Sequence, residues 1–127
     1  ESRRLLGSLQ LEADAGQLTR RLPYGKRRLL DIALALATRP KILLLDEPGA
    51  GIPAAERAQV FDVLARLPDD VTVLFIDHDM ELVFRFAQRI SVLVAGRLLA
   101  EGTPDQIAGD GRVREIYLGE AEATEHA

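Results

Sequence analysis

Two adjacent carboxylates close an uninterrupted apolar run at Ile42-Leu43-Leu44-Leu45-Asp46-Glu47. Oxygen ligands of this kind suit Mg²⁺. Successive residues at a strand end project in different directions, so one carboxylate can serve a metal while its neighbour faces an attacking water. A loop that merely leaves a strand through acidic residues has the same composition, and the pair alone does not decide between the two. His78 follows a second apolar run within Asp77-His78-Asp79-Met80, where an imidazole can donate to a phosphate oxygen or simply sit solvated. The third feature is Leu22-Pro23-Tyr24-Gly25-Lys26-Arg27-Arg28, with a glycine at the start of an apolar helical pattern. Unpaired N–H groups and the helix dipole favour an anion there. A proline-glycine turn with basic residues in solvent is the plainer alternative.

These residues need elements to hold them. Residues 27–38 place Leu29, Ile32, Ala33 and Leu36 on one helical face with Leu30, Leu34 and Ala37 beside it, an arc wide enough to predict a buried helix. Pro40 closes it, because the residue before a proline is pushed out of the helical region. The runs Ile42–Leu45 and Val71–Ile76 are predicted strands covered on both faces. Between them Val60, Phe61, Leu64 and Leu67 recur at helical spacing, opened by Pro53 and stopped by Pro68. Strand, crossover helix and strand make a parallel βαβ unit. Asp46 and Asp77 then leave the sheet at its carboxyl edge, where open α/β sheets bind ligands. Residues 3–20 support short helical turns and 81–89 a further helix. Residues 91–95 and 98–100 form a hairpin turning at Gly96-Arg97. Residues 104–108 and 112–118 predict two short helices, before an acidic, Ala-rich tail from Glu120 that is expected to fray.

Composition narrows the function. A chain of 127 residues with 47% hydrophobic and 28% charged residues is the size and type of one globular domain, not a disordered segment. No apolar run approaches the roughly 18 residues that span a bilayer, so no direct membrane insertion is expected. A net charge of −4 offers no general basic surface for nucleic acid. The absence of cysteine excludes disulfides and thiolate metal sites from these residues. The chain opens on Glu1 with no secretory signal and reads as a piece of something longer, or a processed product.

Taken in order, these three features resemble the carboxyl-terminal half of the ATP-binding subunit of ATP-binding-cassette (ABC) transporters. Leu22 to Lys26 is similar to the signature motif, Ile42 to Glu47 to the Walker B strand, and Asp77-His78-Asp79 to the switch-histidine loop. Tyr24, the Ala50-Gly51-Ile52 turn, Gly102-Thr103-Pro104-Asp105-Gln106-Ile107 and Tyr117-Leu118-Gly119-Glu120 look most like the branched-chain amino acid importers. The resemblance implies an α/β, partial P-loop NTPase fold: a mostly parallel sheet flanked by helices, lacking the P-loop strand. It divides the chain into the end of a helical subdomain with the signature loop (1–25), a Walker B and switch-histidine core (26–103), and carboxyl-terminal helices and tail (104–127). By the same resemblance Asp46 helps hold Mg²⁺, Glu47 positions or deprotonates the hydrolytic water, and His78 contacts the γ-phosphate of ATP. Tyr24, Gly25 and Lys26 meet the nucleotide held by a second ATP-binding subunit. The implied partners are that subunit and transmembrane permease subunits, at the cytoplasmic face of the inner membrane, with no nucleic acid.

The chain also departs from the pattern. No Gly-x-x-x-x-Gly-Lys-Ser/Thr occurs in it, so the backbone cradle and lysine for the β- and γ-phosphates are absent from these residues. The 127 residues by themselves are therefore expected neither to hydrolyse ATP nor to bind it tightly. Pro23 stands where the signature offers a serine, and proline has neither hydroxyl nor N–H to give. Lys26 replaces a glutamine, and Pro53 an Asp or Asn. In the family the P-loop strand lies between the strand leading to His78 and the one near Val92. Its absence predicts that residues 72–76 pair directly with 91–95, or with a strand from another molecule. Two other classes compete: a non-catalytic interaction module with this fold, and a receiver-type signalling domain. The latter would need a late lysine, and the only lysines are Lys26 and Lys41.

Overall fold

The computed structural model describes residues 2–116. They gather into two compact units, one up to Leu82 and one from Val83.

In the first unit, helix α1 (Ser2–Ser8) and two single 3₁₀ turns (Glu12–Asp14, Thr19–Arg21) lead into α2 (Tyr24–Leu36). Pro23 precedes α2 with φ −53°, preset for a helix start, which is why the helix begins three residues before the apolar pattern suggests. Arg39, at φ 55°, and Pro40 follow its end. Leu29, Ile32 and Ala33 are buried, whereas Leu34 is 66% exposed. The predicted all-round burial of this helix is corrected: only the face toward α3 (Ala54–Ala65) is covered. Helix α3 contributes Val60, Phe61, Val63 and Leu64 to the core, where Leu9, Leu11 and Leu22 are also buried.

Strands β1 (Ile42–Asp46) and β2 (Thr72–Ile76) pair in parallel, with Leu43 opposite Val73 and Asp46 opposite Ile76. Side chains alternate across a strand, so each strand divides its apolar residues between two faces. Leu43 is buried and Phe75 meets Phe61 of α3 edge-on, ring centroids 5.3 Å apart at 74°. On the opposite face Leu44 is 70% and Ile76 64% exposed, with Ile42 and Leu74 beside them. The expectation of strands covered on both faces fails here because helices pack on one side only.

The second unit holds β3 (Ile90–Val94) and β4 (Arg97–Gly102), an antiparallel hairpin, and α5 (Pro104–Gly109). Helix α4 (Met80–Phe86) spans the boundary between the units. The hairpin turns at Ala95-Gly96, one residue before the predicted position. Both residues have positive φ (49° and 76°), as a two-residue turn matched to strand twist requires. A bulge between Val92 and Leu93 shifts the register, so Leu93 pairs with Leu98. Thr103 and Gln106 form a reciprocal capping box on α5. A helical turn covers 111–116, entered through Asp110, whose carboxylate accepts from the Arg112 backbone and guanidinium. Those hydrogen bonds hold the Asp110 carboxyl down to about 2.

Among the described residues β2 pairs only with β1, and β3 only with β4. The predicted direct pairing of 72–76 with 91–95 is therefore corrected. Pairing with β4 through a two-residue turn, at low loop-closure cost, takes one edge of β3 and leaves its other edge without a strand partner among the described residues. Tyr117-Leu118-Gly119-Glu120, the end of the predicted last helix and the tail lie outside the described residues.

Candidate functional site

The carboxyl ends of β1 and β2 bring Glu47 and His78 together. His78 Nδ1 lies 2.8 Å from Glu47 Oε1, although 31 positions separate them in the chain. An ionised carboxylate only accepts hydrogen bonds, so in this contact Nδ1 carries the proton. With the imidazole 84% exposed, this pair adds little to stability, and its significance is positional.

Glu47 adopts φ 44°, a left-handed conformation costing a non-glycine residue about 1 kcal/mol. Its N–H donates to Ile76 O at 2.7 Å, extending the parallel ladder by one residue, and its carbonyl accepts from the Ala50 N–H at 2.9 Å. The turn of Pro48 to Ala50 is thus held directly beyond the strand. Sharp placement of this kind is where local strain accompanies function.

Beside this pair lies a cavity of about 220 Å³ whose walls include Gly51, Arg57, Asp77 and Asp79. Asp77 is almost buried and stands 4.0 Å from His78 Nδ1. It accepts a hydrogen bond from the Asp79 N–H at 3.0 Å, closing a tight turn around His78. Asp79 in turn accepts from the Leu82 N–H and from Arg57 Nη1.

Asp46 ends β1 on the exposed face, with Ile42 and Leu44, and does not line this cavity. Asp46 and Glu47 therefore project differently, as alternation dictates. No group of three or more acidic or imidazole side chains among the described residues could hold a metal. Asp46 alone, exposed at the strand end, is compatible with Mg²⁺, which is usually held by one or two carboxylates together with substrate phosphates and waters, not by an all-protein cage.

The signature-like residues diverge. Gly25 is buried in the first turn of α2, and its N–H donates to Glu56 Oε2 at 3.2 Å. A carboxylate thus occupies the anion-favouring helix start. Tyr24 is half exposed, with its ring against Gly51. Lys26 Nζ is bound to the buried Asp14 carboxylate at 2.7 Å, so its charge is committed within the first unit. Glu56 and Arg57 carried no sequence signal as site residues, and Asp79 only as part of the switch-histidine resemblance; a pair such as Arg57 and Asp79, 22 positions apart, leaves no local periodicity to find.

The family model described as branched-chain amino acid ATP-binding cassette transporter matches residues 97–123. Over 102 residues the chain is 46% identical to the high-affinity branched-chain amino acid transport ATP-binding protein BraF of Pseudomonas aeruginosa, and 44% identical to LivG of Escherichia coli K12. Each match takes in 79% of this chain and 40% of the relative, so the chain spans well under half the length of these curated proteins. Among solved structures, the ADP conformation of MJ1267, an ATP-binding cassette of an ABC transporter, superposes with a TM-score of 0.80 at 29% identity. That match covers 93% of this chain and 48% of the other. The fold is thus a partial ATP-binding cassette, and the resemblance to carboxyl-terminal ABC ATP-binding sequences of the branched-chain amino acid type holds in sequence as well as in architecture.

Proposed function

We propose that the chain forms the Walker B, switch-histidine and signature portion of the ATP-hydrolysing subunit of an ABC importer, one that carries branched-chain or related amino acids. The observation that carries this reading is the contact of Glu47 with His78 at the carboxyl edge of parallel strands. The similarity to BraF and LivG supports the solute class.

On this reading Glu47 orients or deprotonates the hydrolytic water. Its contact with His78 uses one oxygen, and a carboxylate has acceptor positions left for a water. His78, its Nδ1 proton directed at Glu47, donates from Nε2 to a phosphate oxygen only when both ring nitrogens carry a proton. Asp46 would be the chain's ligand to Mg²⁺, which would supply positive charge against that developing on the phosphates. Gly25 offers its N–H to a phosphate of the nucleotide on a second subunit once Glu56 yields it. Catalysis by these groups is positioning and electrostatics, because phosphoryl transfer asks little covalent work of the protein.

The phosphate cradle must come from outside these 127 residues, since they contain no Walker A sequence. The partners are a second ATP-binding subunit and transmembrane permease subunits, with the protein peripheral at the cytoplasmic face of the membrane. No helix among the described residues is long and apolar enough to cross a bilayer.

A second reading, a non-catalytic interaction module, is favoured by the signature region: Pro23 has no donor, Lys26 is held by Asp14, and Glu56 occupies Gly25 N–H. Titration calorimetry of the 127-residue chain with Mg-ATP tests the half-site. Binding no tighter than millimolar, about −4 kcal/mol, is expected. Micromolar binding would show a complete nucleotide site and contradict the proposal.

A further inference from the structure

The geometry points to Arg57 as a positioning residue for His78: it grips Asp79 and so holds the turn that keeps His78 Nδ1 on Glu47. This deepens the reading of Glu47 and His78 as a working pair and rests on it.

Arg57 lies in the first turn of α3, outside the three sequence features that carry the family resemblance. Its Nη1 donates to Asp79 Oδ2 at 2.8 Å and its Nη2 to the Ile52 carbonyl at 3.3 Å. One planar guanidinium therefore joins the loop after β1 to the loop after β2. Lysine, with a point charge on a flexible stem, cannot span two acceptors in fixed directions in this way. The stem is fixed as well: a Cβ added to Gly49 would stand 2.7 Å from Arg57 Cγ and 2.9 Å from Cδ, so the glycine leaves room for the arginine to lie across the turn. Arg57 Nε is buried with no partner among the described residues, a desolvation cost that the two outer contacts offset.

Asp79 transmits the grip. Its other oxygen accepts from the Leu82 N–H at 3.3 Å, and its own N–H donates to Asp77 Oδ1 at 3.0 Å. His78 sits between those two aspartates and is otherwise exposed, so its direction is set by the turn and not by packing. Freed of Arg57, Asp79 keeps only backbone contacts, and the turn can swing His78 away from Glu47.

The test uses the tautomer of His78, which does not depend on ATP hydrolysis. Long-range ¹H–¹⁵N spectra of the 127-residue chain are recorded above the imidazole titration range, with His126→Gln used to assign the two histidines. Wild-type His78 is expected as the Nδ1–H form. Arg57→Ala should lose that signal in favour of Nε2–H, and Arg57→Lys should restore it only in part. Should Arg57→Ala fail to fold, Asp79→Asn serves: it retains an oxygen for the Leu82 N–H but lacks the carboxylate that Arg57 grips, and the same loss is expected. An unchanged Nδ1–H signal in a folded Arg57→Ala or Asp79→Asn chain overturns the role of Arg57 alone. A wild-type ring already in the Nε2–H form overturns the pairing with Glu47, and with it both readings.

Discussion

The two sheets are stabilised by different means. The β3–β4 hairpin is closed by its own neighbours: a two-residue turn with positive φ at both positions, and a capping box starting the helix that follows. The β1–β2 pair is joined through a long crossover, and its one covered face depends on Phe61 of α3 meeting Phe75. Its other face presents Ile42, Leu44, Leu74 and Ile76 to solvent. The difference teaches that an apolar pattern records what a strand is suited to contact, whereas local turn and cap chemistry records what the chain itself completes. Parallel strands are ordinarily covered on both sides, and these residues supply one side.

The largest expected effect breaks the covered side. Phe61 is 1% exposed, and Phe61→Ala should cost about 3–5 kcal/mol through lost burial and the cavity left behind. Leu44→Thr, on the bare face, should stay within about 0.5 kcal/mol. Urea unfolding of both variants checks the contrast; equal losses would mean that the bare face is packed in solution.

The smallest effect sharpens the other side of the comparison. In the second unit the Asp110 carboxyl is lowered from 3.8 to about 2, first by its hydrogen bond to Arg112. The folded state thus holds this group ionised where the unfolded chain would already bind a proton. Its stabilising contribution is complete above the unfolded value and is lost as pH falls from 3.8 through about 2. Carboxyl ¹³C titration should place the Asp110 midpoint near 2; a midpoint at the ordinary aspartate value would mean that the contact is not held in solution.

What was legible in the sequence follows the same division. The helix after Pro53, both parallel strands, the hairpin and the first of the two short carboxyl-terminal helices were all readable, because periodicity and punctuation are local. The hairpin turn was misplaced by one residue: Gly96 drew the prediction, and Ala95 at φ 49° gave no sign of a left-handed residue. The juxtaposition of Glu47 and His78 followed from two parallel strands ending in acidic residues. The bonds that finish the site, Gly25 to Glu56 and Arg57 to Asp79, did not, because each joins side chains far apart in the chain through contacts that no pattern announces. The bare sheet face was equally hidden, since Leu44 and Ile76 carry the composition of buried residues.

The central claim, that Glu47 acts on the water while His78 steadies it and contacts phosphate, is tested most directly by Glu47→Gln in an intact ATP-binding subunit containing these residues. Glutamine keeps the shape and a hydrogen-bond acceptor but cannot take a proton. ATP turnover should be abolished while ATP-dependent dimerisation persists. Turnover at the unaltered rate would remove Glu47 from the reaction and contradict the account.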